Sequence, residues 1–255
     1  MRQIALLATL GFSLTAPAAE LPACASHTAT SGTQQTALLE LYTSEGCNSC
    51  PPAENWVNGL KATGFSAAQV VPIAFHVDYW DYLGWKDRFS QAEFTQRQQA
   101  RVAQTHGRFV YTPELMLNGK EWRGDSGTFK TALSASPAAD ATLQARVDPL
   151  ATGVRVTLTA SRKTIRAGDA LYLALVEDGL TSRVAAGENA GATLQHDAVV
   201  RKLLGPFYFA NKAEQTQSID IPFAPDQRPQ RSSIAIWLEE GHTGRVMQAL
   251  SVSCS

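Results

Sequence analysis

Apolar and polar positions in the first half of the chain follow both the strand period and the helix period. Short apolar or β-branched runs bounded by turn residues predict buried strands. Apolar residues at helical spacing, with proline in the first turn or a capping box ahead of them, predict helices. The predicted elements are strand 36–42, helix 51–63, strand 69–77, helix 91–104, a hairpin turning at 118–119 and a short helix over 129–133.

The pattern changes after an Ala-rich, Pro-containing segment at 134–141, which we interpret as a linker. Beyond it, strand-like segments alternate with turn residues, and no helix signal has comparable strength. This spacing is typical of an antiparallel sandwich. We therefore predict one unit over 36–137 and a second over 140–255. The strand-like segments of the second unit are 144–147, 154–159, 170–176, 199–204, 217–221, 233–238 and 246–252.

The amino terminus has the three parts of a secretory signal peptide. A short basic start precedes an apolar run over 4–14, and Ala-Pro-Ala at 16–18 supplies a cleavage site. The run is too short to span a bilayer, so we predict a cleaved signal peptide over 1–18, no stable membrane anchor and a periplasmic or secreted protein. Residues 19–35 are predicted to be an exposed lead-in. The alternatives are a buried amphipathic first helix and lipidation at Cys24, which ends a lipobox-like Leu-Pro-Ala-Cys.

Charge excludes one class of partner. The 255 residues include 22 Lys and Arg against 23 Asp and Glu, a formal net charge of −1. The sequence contains no run of basic residues, so we expect no nucleic-acid partner. Partner choice then depends on shape and apolar contacts. The sequence makes no prediction of oligomeric state.

Four cysteines form one close pair and one distant pair. The close pair, Cys47-Asn48-Ser49-Cys50, lies where a predicted strand ends and a predicted helix begins. There the free N–H groups and the helix dipole stabilise a thiolate, so Cys47 is predicted to be a nucleophile and Cys50 the thiol that resolves a mixed disulfide. The alternatives are an inert disulfide and a metal site, for which the sequence has no second Cys-x-x-Cys or spaced histidines.

The distant pair, Cys24 and Cys254, lies near the two ends of the mature chain. In an oxidising compartment we expect these residues to form a structural disulfide that joins the termini. The chain-entropy model gives such a bond about 4–5 kcal/mol as an upper estimate. The alternative is two free thiols.

Several longer motifs extend around the close pair and across the chain. They are LELYTSEGCNSCPP at 39–52, HVDYWD at 76–81, GWKD at 84–87, YTP at 111–113 and GENAG at 187–191. These motifs resemble exported bacterial proteins of the domain of unknown function 1223 family, and the unit around the cysteines resembles the thioredoxin fold. The resemblance and the strand pattern imply an α/β thioredoxin-like domain with a β-α-β-α-β-β-α core, followed by an all-β antiparallel sandwich-like domain.

The resemblance to thioredoxins implies roles for particular residues. It makes the two cysteines of the close pair the attacking and resolving thiols, and it makes Pro113 a cis proline that faces them. The chain departs from thioredoxins at Gly46, where an aromatic residue is usual. The position of the buried acid of thioredoxins falls on Leu41, with Glu40 one residue away on the opposite face of the strand.

Four further residues are candidates for substrate contact. His76 and Asp78 lie two apart near the end of a predicted strand and share a face. Trp80 belongs to an aromatic loop that could line an apolar groove, and Thr112 precedes Pro113. The alternative for each is a structural role, as a hydrogen-bonded core histidine or a packing aromatic.

His196 ends a segment, 187–196, that is flanked by turn residues in the second unit. We predict that it is an exposed loop histidine. The alternative is a long loop that reaches the first unit and brings His196 to the thiols.

We conclude from the sequence that the chain is an exported thiol–disulfide oxidoreductase that acts without a dissociable cofactor or metal. Its partner would be a protein or a small thiol of the cell envelope. One alternative is a copper-handling protein that uses Cys47, Cys50 and His76. The other is a redox-inert binding module in which the close pair is structural.

Overall fold

The computed structural model describes residues 24–164, 166–209 and 213–254. The predicted signal peptide at 1–18 lies outside these residues. Strands hold 43% of the structure and helices 16%. The helices are α1 (Cys50–Asn58), α2 (Ala92–Gln104) and α3 (Ser126–Ser134), and the strands are β1 (His27–Thr30), β2 (Ala37–Thr43), β3 (Val70–His76), β4 (Glu114–Leu117), β5 (Lys120–Glu121), β6 (Ala141–Leu150), β7 (Gly153–Arg162), β8 (Ala170–Glu177), β9 (Leu180–Arg183), β10 (Thr193–His196), β11 (Val199–Tyr208), β12 (Glu214–Pro222), β13 (Ser232–Glu239) and β14 (Val246–Ser253).

One eight-stranded sheet runs through both halves of the chain, in the order β14-β13-β8-β11-β3-β2-β4-β5. Its two halves join where β11 pairs in parallel with β3, with Val199 opposite Ala74. A four-stranded antiparallel sheet, β1-β6-β7-β12, and a separate β9–β10 hairpin complete the described strands.

The alternation of side chains along each strand decides what covers each face of the large sheet. On β8, Leu171, Leu173 and Leu175 pack toward the four-stranded sheet, while Ala174 and Val176 pack in the cluster under α2. That second cluster also contains apolar residues of β2 and β3, so a single core crosses the join between the halves. Helices α1 and α3 cover the opposite face of β2 and β3.

The predicted fold class is wrong. We predicted a thioredoxin-like α/β domain followed by a separate all-β domain, but the structure is mostly β and its largest sheet is continuous from β14 to β5. The reason is the β11–β3 pairing, which extends the first sheet with strands of the second half. Hydrophobic alternation identifies strands and their buried faces, but it carries no information about which edges pair. The boundary predicted between 137 and 140 stays a prediction.

The predicted disulfide between the termini is confirmed. Cys24 is bonded to Cys254, and the bond closes a loop with a sequence separation of 230. The backbone N–H of Ala25 also donates to the carbonyl of Cys254, over 3.1 Å. Both cysteines lie in the core between the two sheets, so the bond attaches the start of the described chain to its end.

A buried ionic network attaches α2 to both halves of the sheet. Arg97 contacts Glu40 of β2 at 2.7 Å and Glu239 of β13 at 2.6 Å. Arg101 contacts the same two carboxylates and donates to the carbonyl of Gly244 over 2.6 Å. Burial opposes ionisation of Glu40, but the two guanidinium groups hold its pKa below the usual range.

No helix in the described ranges is long and apolar enough to cross a membrane.

This network gives a test of how the halves are joined. Replacing Arg101 by Met leaves two buried carboxylates with one guanidinium, so we expect a loss of about 3–5 kcal/mol in the free energy of unfolding, measured with urea. Arg123→Met is the matched control, because Arg123 is exposed and pairs with Glu121 at the surface. We expect that control to leave the urea midpoint unchanged. Equal midpoints for the two variants would contradict the role given to the network.

Candidate functional site

Cys47 and Cys50 form a disulfide at the start of α1. Cys47 lies in the turn after β2, Ser49 is the N-cap residue of α1, and Cys50 is its first residue. Proline at 51 and 52 suits the first helical turn, because those N–H groups would have no partner within the helix. The pair therefore lies at the positive end of the helix dipole, as the sequence predicts.

Ser49 turns its hydroxyl toward the sulfur of Cys47 instead of capping the helix. Its Oγ lies 3.3 Å from Sγ of Cys47, and its side chain makes no capping hydrogen bond. A hydroxyl at this distance can donate to a thiolate on Cys47, which adds to the effect of the helix N-terminus. Both cysteines are nevertheless fully buried.

A loop from the second half of the chain is hydrogen-bonded to the turn that contains Cys47. Residues 187–191, called the cover loop here, connect β9 to β10. The side-chain amide of Asn189 donates to the carbonyls of Glu45 and Cys47, each over 2.9 Å. The carboxylate of Glu188 accepts the backbone N–H of Asn48 over 3.1 Å. The cover loop is therefore hydrogen-bonded to the residues on both sides of Cys47.

Trp80 covers the other side of the turn and explains the glycine before the first cysteine. A Cβ at Gly46 would lie 3.0 Å from Cβ of Trp80, so a larger residue would push the two backbone segments apart. The indole N–H of Trp80 donates to Oγ1 of Thr112 over 2.7 Å. The Thr112–Pro113 peptide bond is cis, as the resemblance implies.

His76 and Asp78 have different partners. His76 is buried at the end of β3, and its Nδ1 lies 2.6 Å from Oδ2 of Asp87. Asp78 lies beyond the end of the strand and accepts a hydrogen bond from the hydroxyl of Thr95 on α2, over 2.5 Å. The shared face predicted from their spacing does not hold, because β3 ends at His76.

His196 is buried, so the prediction of an exposed loop histidine is wrong. It is the last residue of β10, and its Nδ1 lies 2.7 Å from Oε2 of Glu54. Its Nε2 lies 3.3 Å from Oε1 of Glu45. Burial opposes the charge on the imidazole, but the adjacent carboxyl groups of Glu45 and Glu54 raise the pKa of His196 to about 9.

Glu54 is the acid that the sequence analysis missed. It lies on α1 four residues after Cys50, which places both side chains on one face of the helix. Burial opposes its ionisation, but His196 and His76 hold its pKa below the usual range. Donor atoms of Glu54, His76 and His196 lie within 4.8 Å of one another and could hold a metal ion. The Cys50-to-Glu54 spacing within a predicted helix is the signal that could have identified this residue.

Glu114, which follows Pro113, is a second acid that the sequence analysis missed. It is buried on β4, and its Oε2 accepts from the side-chain amide of Gln98 over 2.7 Å. Burial is the main cause that raises the pKa of Glu114 to about 7, and the nearby Glu121 and Glu40 add to it. Gln98 and the guanidinium of Arg123 act in the opposite direction.

The raised pKa predicts a pH-dependent cost at Glu114. Between pH 4.5, its ordinary pKa, and about pH 7, this carboxyl group is ionised in the unfolded chain but protonated in the folded one. The free energy of unfolding is therefore highest below this pH window and falls as pH rises through it. Glu114→Gln keeps an acceptor for Gln98 and removes the ionisation. We expect the variant to equal the natural protein at pH 4.5 and to be more stable by roughly 1–3 kcal/mol at pH 8. If the urea midpoints of the variant and the natural protein differ by the same amount at every pH in this range, the raised pKa of Glu114 is contradicted.

Comparison with known proteins adds the family and relatives of similar fold. A family model described as "Protein of unknown function (DUF1223)" matches residues 38–239. The crystal structure of protein AGR_C_4864 from Agrobacterium tumefaciens is similar, at 21% identity and a TM-score of 0.62, over 88% of this chain and 97% of that one. HBP35 of Porphyromonas gingivalis is similar at 13% identity and a TM-score of 0.65, over 88% of this chain and 76% of that one. No curated protein sequence matches. The family match covers most of the chain, so this protein belongs to the DUF1223 family.

Proposed function

We propose that the protein is a thiol–disulfide oxidoreductase in which Cys47 and Cys50 are the catalytic residues. One observation carries the proposal: the two cysteines are bonded at the N-terminus of α1, with the hydroxyl of Ser49 beside Sγ of Cys47. This placement stabilises a thiolate on Cys47 and makes it the better nucleophile of the two. The three-residue separation keeps Cys50 within reach of a mixed disulfide.

The exchange needs no group other than the two partners. In the oxidised form, a thiolate of the partner attacks Sγ of Cys47. The Cys47–Cys50 bond breaks, and its electron pair leaves with Sγ of Cys50, which takes up a proton. A second partner thiolate then attacks the partner's own sulfur in the mixed disulfide and releases Cys47. The partner is oxidised by two electrons, and the reverse sequence, started by the Cys47 thiolate, reduces a partner disulfide.

The cover loop controls access to this reaction. Because both sulfurs are buried, a partner reaches Cys47 only when the contacts of Asn189 and Glu188 open. These contacts are hydrogen bonds of a surface loop, which open at much lower cost than core packing. The second half of the chain thus has a role at the redox pair.

The compartment belongs to the same proposal. The signal-peptide pattern at 1–18 and the Cys24–Cys254 disulfide support export to an oxidising compartment, where both cysteine pairs are stable. The partner is a protein or small thiol of the cell envelope. The sulfur of Cys24 is bonded to that of Cys254, which favours the cleaved and unlipidated form.

Cysteine variants test the reaction. With dithiothreitol as the reductant, the natural protein should reduce insulin disulfides, and Cys47→Ser should abolish this activity because the attacking sulfur is lost. Cys50→Ala should hold a partner as a mixed disulfide that survives acid quenching and alkylation, and mass spectrometry then identifies the partner. The control is Cys24→Ser combined with Cys254→Ser, which leaves the exchange intact if it folds. An unchanged insulin rate in Cys47→Ser refutes the proposal.

A second variant tests the cover loop. Asn189→Ala removes two hydrogen bonds to the redox turn. At about 1 kcal/mol for each hydrogen bond, the two bonds together correspond to roughly 30-fold, so we expect dithiothreitol to reduce the Cys47–Cys50 bond faster by about that factor. The rate is measured by alkylating the freed thiols and following the mass shift. Asn55→Ala, at an exposed position of α1, is the matched control. Equal rates in both variants would show that the cover loop does not limit access.

A further inference from the structure

A compact cluster of imidazole and carboxyl groups lies on the α1 side of the sheet. Glu54 comes from α1, His76 from the end of β3 and His196 from the end of β10. One donor atom from each lies within 4.8 Å of the others, and all three residues are at most 5% exposed. The two imidazole rings meet edge to face, with their centroids 5.2 Å apart.

The charge of this cluster is unbalanced. Besides Glu54, the carboxyl groups of Glu45 and Asp87 contact the two imidazoles, and both residues are at most 1% exposed. Among the described residues, no lysine or arginine forms an ion pair with any of these three acids. The cluster therefore has three carboxyl groups facing two imidazoles. A buried excess of carboxyl groups is costly unless a cation offsets it.

The remaining contacts have the form of a second coordination shell. Oδ2 of Asp87 holds Nδ1 of His76, and the backbone N–H groups of Glu45 and Phe89 in turn donate to the Asp87 carboxylate, each over 2.9 Å. A carboxylate behind a histidine fixes the ring and its tautomer, and this is the usual support of a metal-bound imidazole. It leaves Nε2 of His76 as the nitrogen available to a ligand.

Two further atoms in the cluster have no hydrogen-bond partner. They are Nε2 of His196 and Oε1 of Glu45, both on fully buried side chains. They lie 3.3 Å apart, but they do not meet in hydrogen-bonding geometry. Nδ1 of His196 faces Glu54, so the Glu45 carboxyl group lies at the other nitrogen of the ring, in the position of a second-shell carboxylate.

We propose that Glu54, His76 and His196 bind a divalent transition-metal ion, with Zn²⁺ as the first candidate. Two imidazole nitrogens and one carboxylate oxygen are a common ligand set for Zn²⁺, with a further position left to water or a nearby carboxylate. The ion binds where Nδ1 of His196 faces Oε2 of Glu54, and it offsets the excess of buried carboxyl groups. This site contains no sulfur, so its ligands are separate from the residues of the proposed exchange at Cys47 and Cys50.

Metal uptake by the purified protein tests the site. After treatment with a chelator and dialysis, we expect the protein to take up about one equivalent of Zn²⁺, measured by competition with a chromogenic chelator. His196→Gln and His76→Gln should each lower the affinity about 100-fold or more, and Asp87→Asn about 10–100-fold. His242→Gln, at an exposed histidine, is the matched control and should bind like the natural protein. Absence of stoichiometric uptake by the natural protein overturns the proposal.

Two measurements separate this site from the cysteine pair and from misfolded variants. The double variant Cys47→Ser with Cys50→Ser should keep full Zn²⁺ affinity, whereas loss of binding in it would place the metal on sulfur and overturn the proposal. Co²⁺ added to the natural protein should give visible d–d bands without a thiolate charge-transfer band, and the appearance of that band would have the same meaning. Zn²⁺ should also raise the unfolding temperature of the natural protein but not that of folded His196→Gln.

Discussion

Strand β11 lies parallel to β3, and the backbone N–H of Ala74 donates to the carbonyl of Ala198 over 2.7 Å. This short pairing joins the two halves of the chain into one sheet. It also fixes the β9–β10 hairpin, which immediately precedes β11, beside the end of β3 and the start of α1. The cover loop and His196 both belong to this hairpin segment, so their contacts with the redox turn follow from the pairing. A side chain 142 residues from Glu54 thereby becomes its hydrogen-bond partner.

The two faces of the joined sheet differ in the basic groups that pair with their buried carboxyl groups. On the α2 face, the Glu40 and Glu239 carboxylates meet the Arg97 and Arg101 guanidinium groups, so positive and negative charges match. On the α1 face, imidazoles are the only basic groups that pair with Glu45, Glu54 and Asp87 among the described residues. Arginine keeps its proton at all ordinary pH values, whereas an imidazole can release its proton and coordinate a metal. The first network is suited to holding elements together, and the second to binding a cation.

Much of the secondary structure was predictable because alternation and capping are local signals. All seven strand-like segments of the second half fall within strands of the structure, and the Cys47–Cys50 pair lies at the strand-to-helix junction predicted for it. The fold class was not predictable, since edge pairing depends on contacts between distant residues. His196 illustrates the same limit. Its burial is decided by Glu54 and Glu45, which lie more than a hundred positions away, and the turn residues around it favour an exposed loop.

Glu45 connects the three parts of the site. Its carbonyl accepts the Asn189 amide of the cover loop, its backbone N–H donates to Asp87, and its carboxyl group faces His196 while accepting the indole N–H of Trp85. The residue is also two positions before Cys47 in the same turn. The backbone that accepts a hydrogen bond from the cover loop therefore also positions the carboxyl group that faces His196. The shape of the buried cluster and that of the redox turn depend on the same residue, because Glu45 contacts the cover loop, Asp87 and His196 and lies two positions before Cys47.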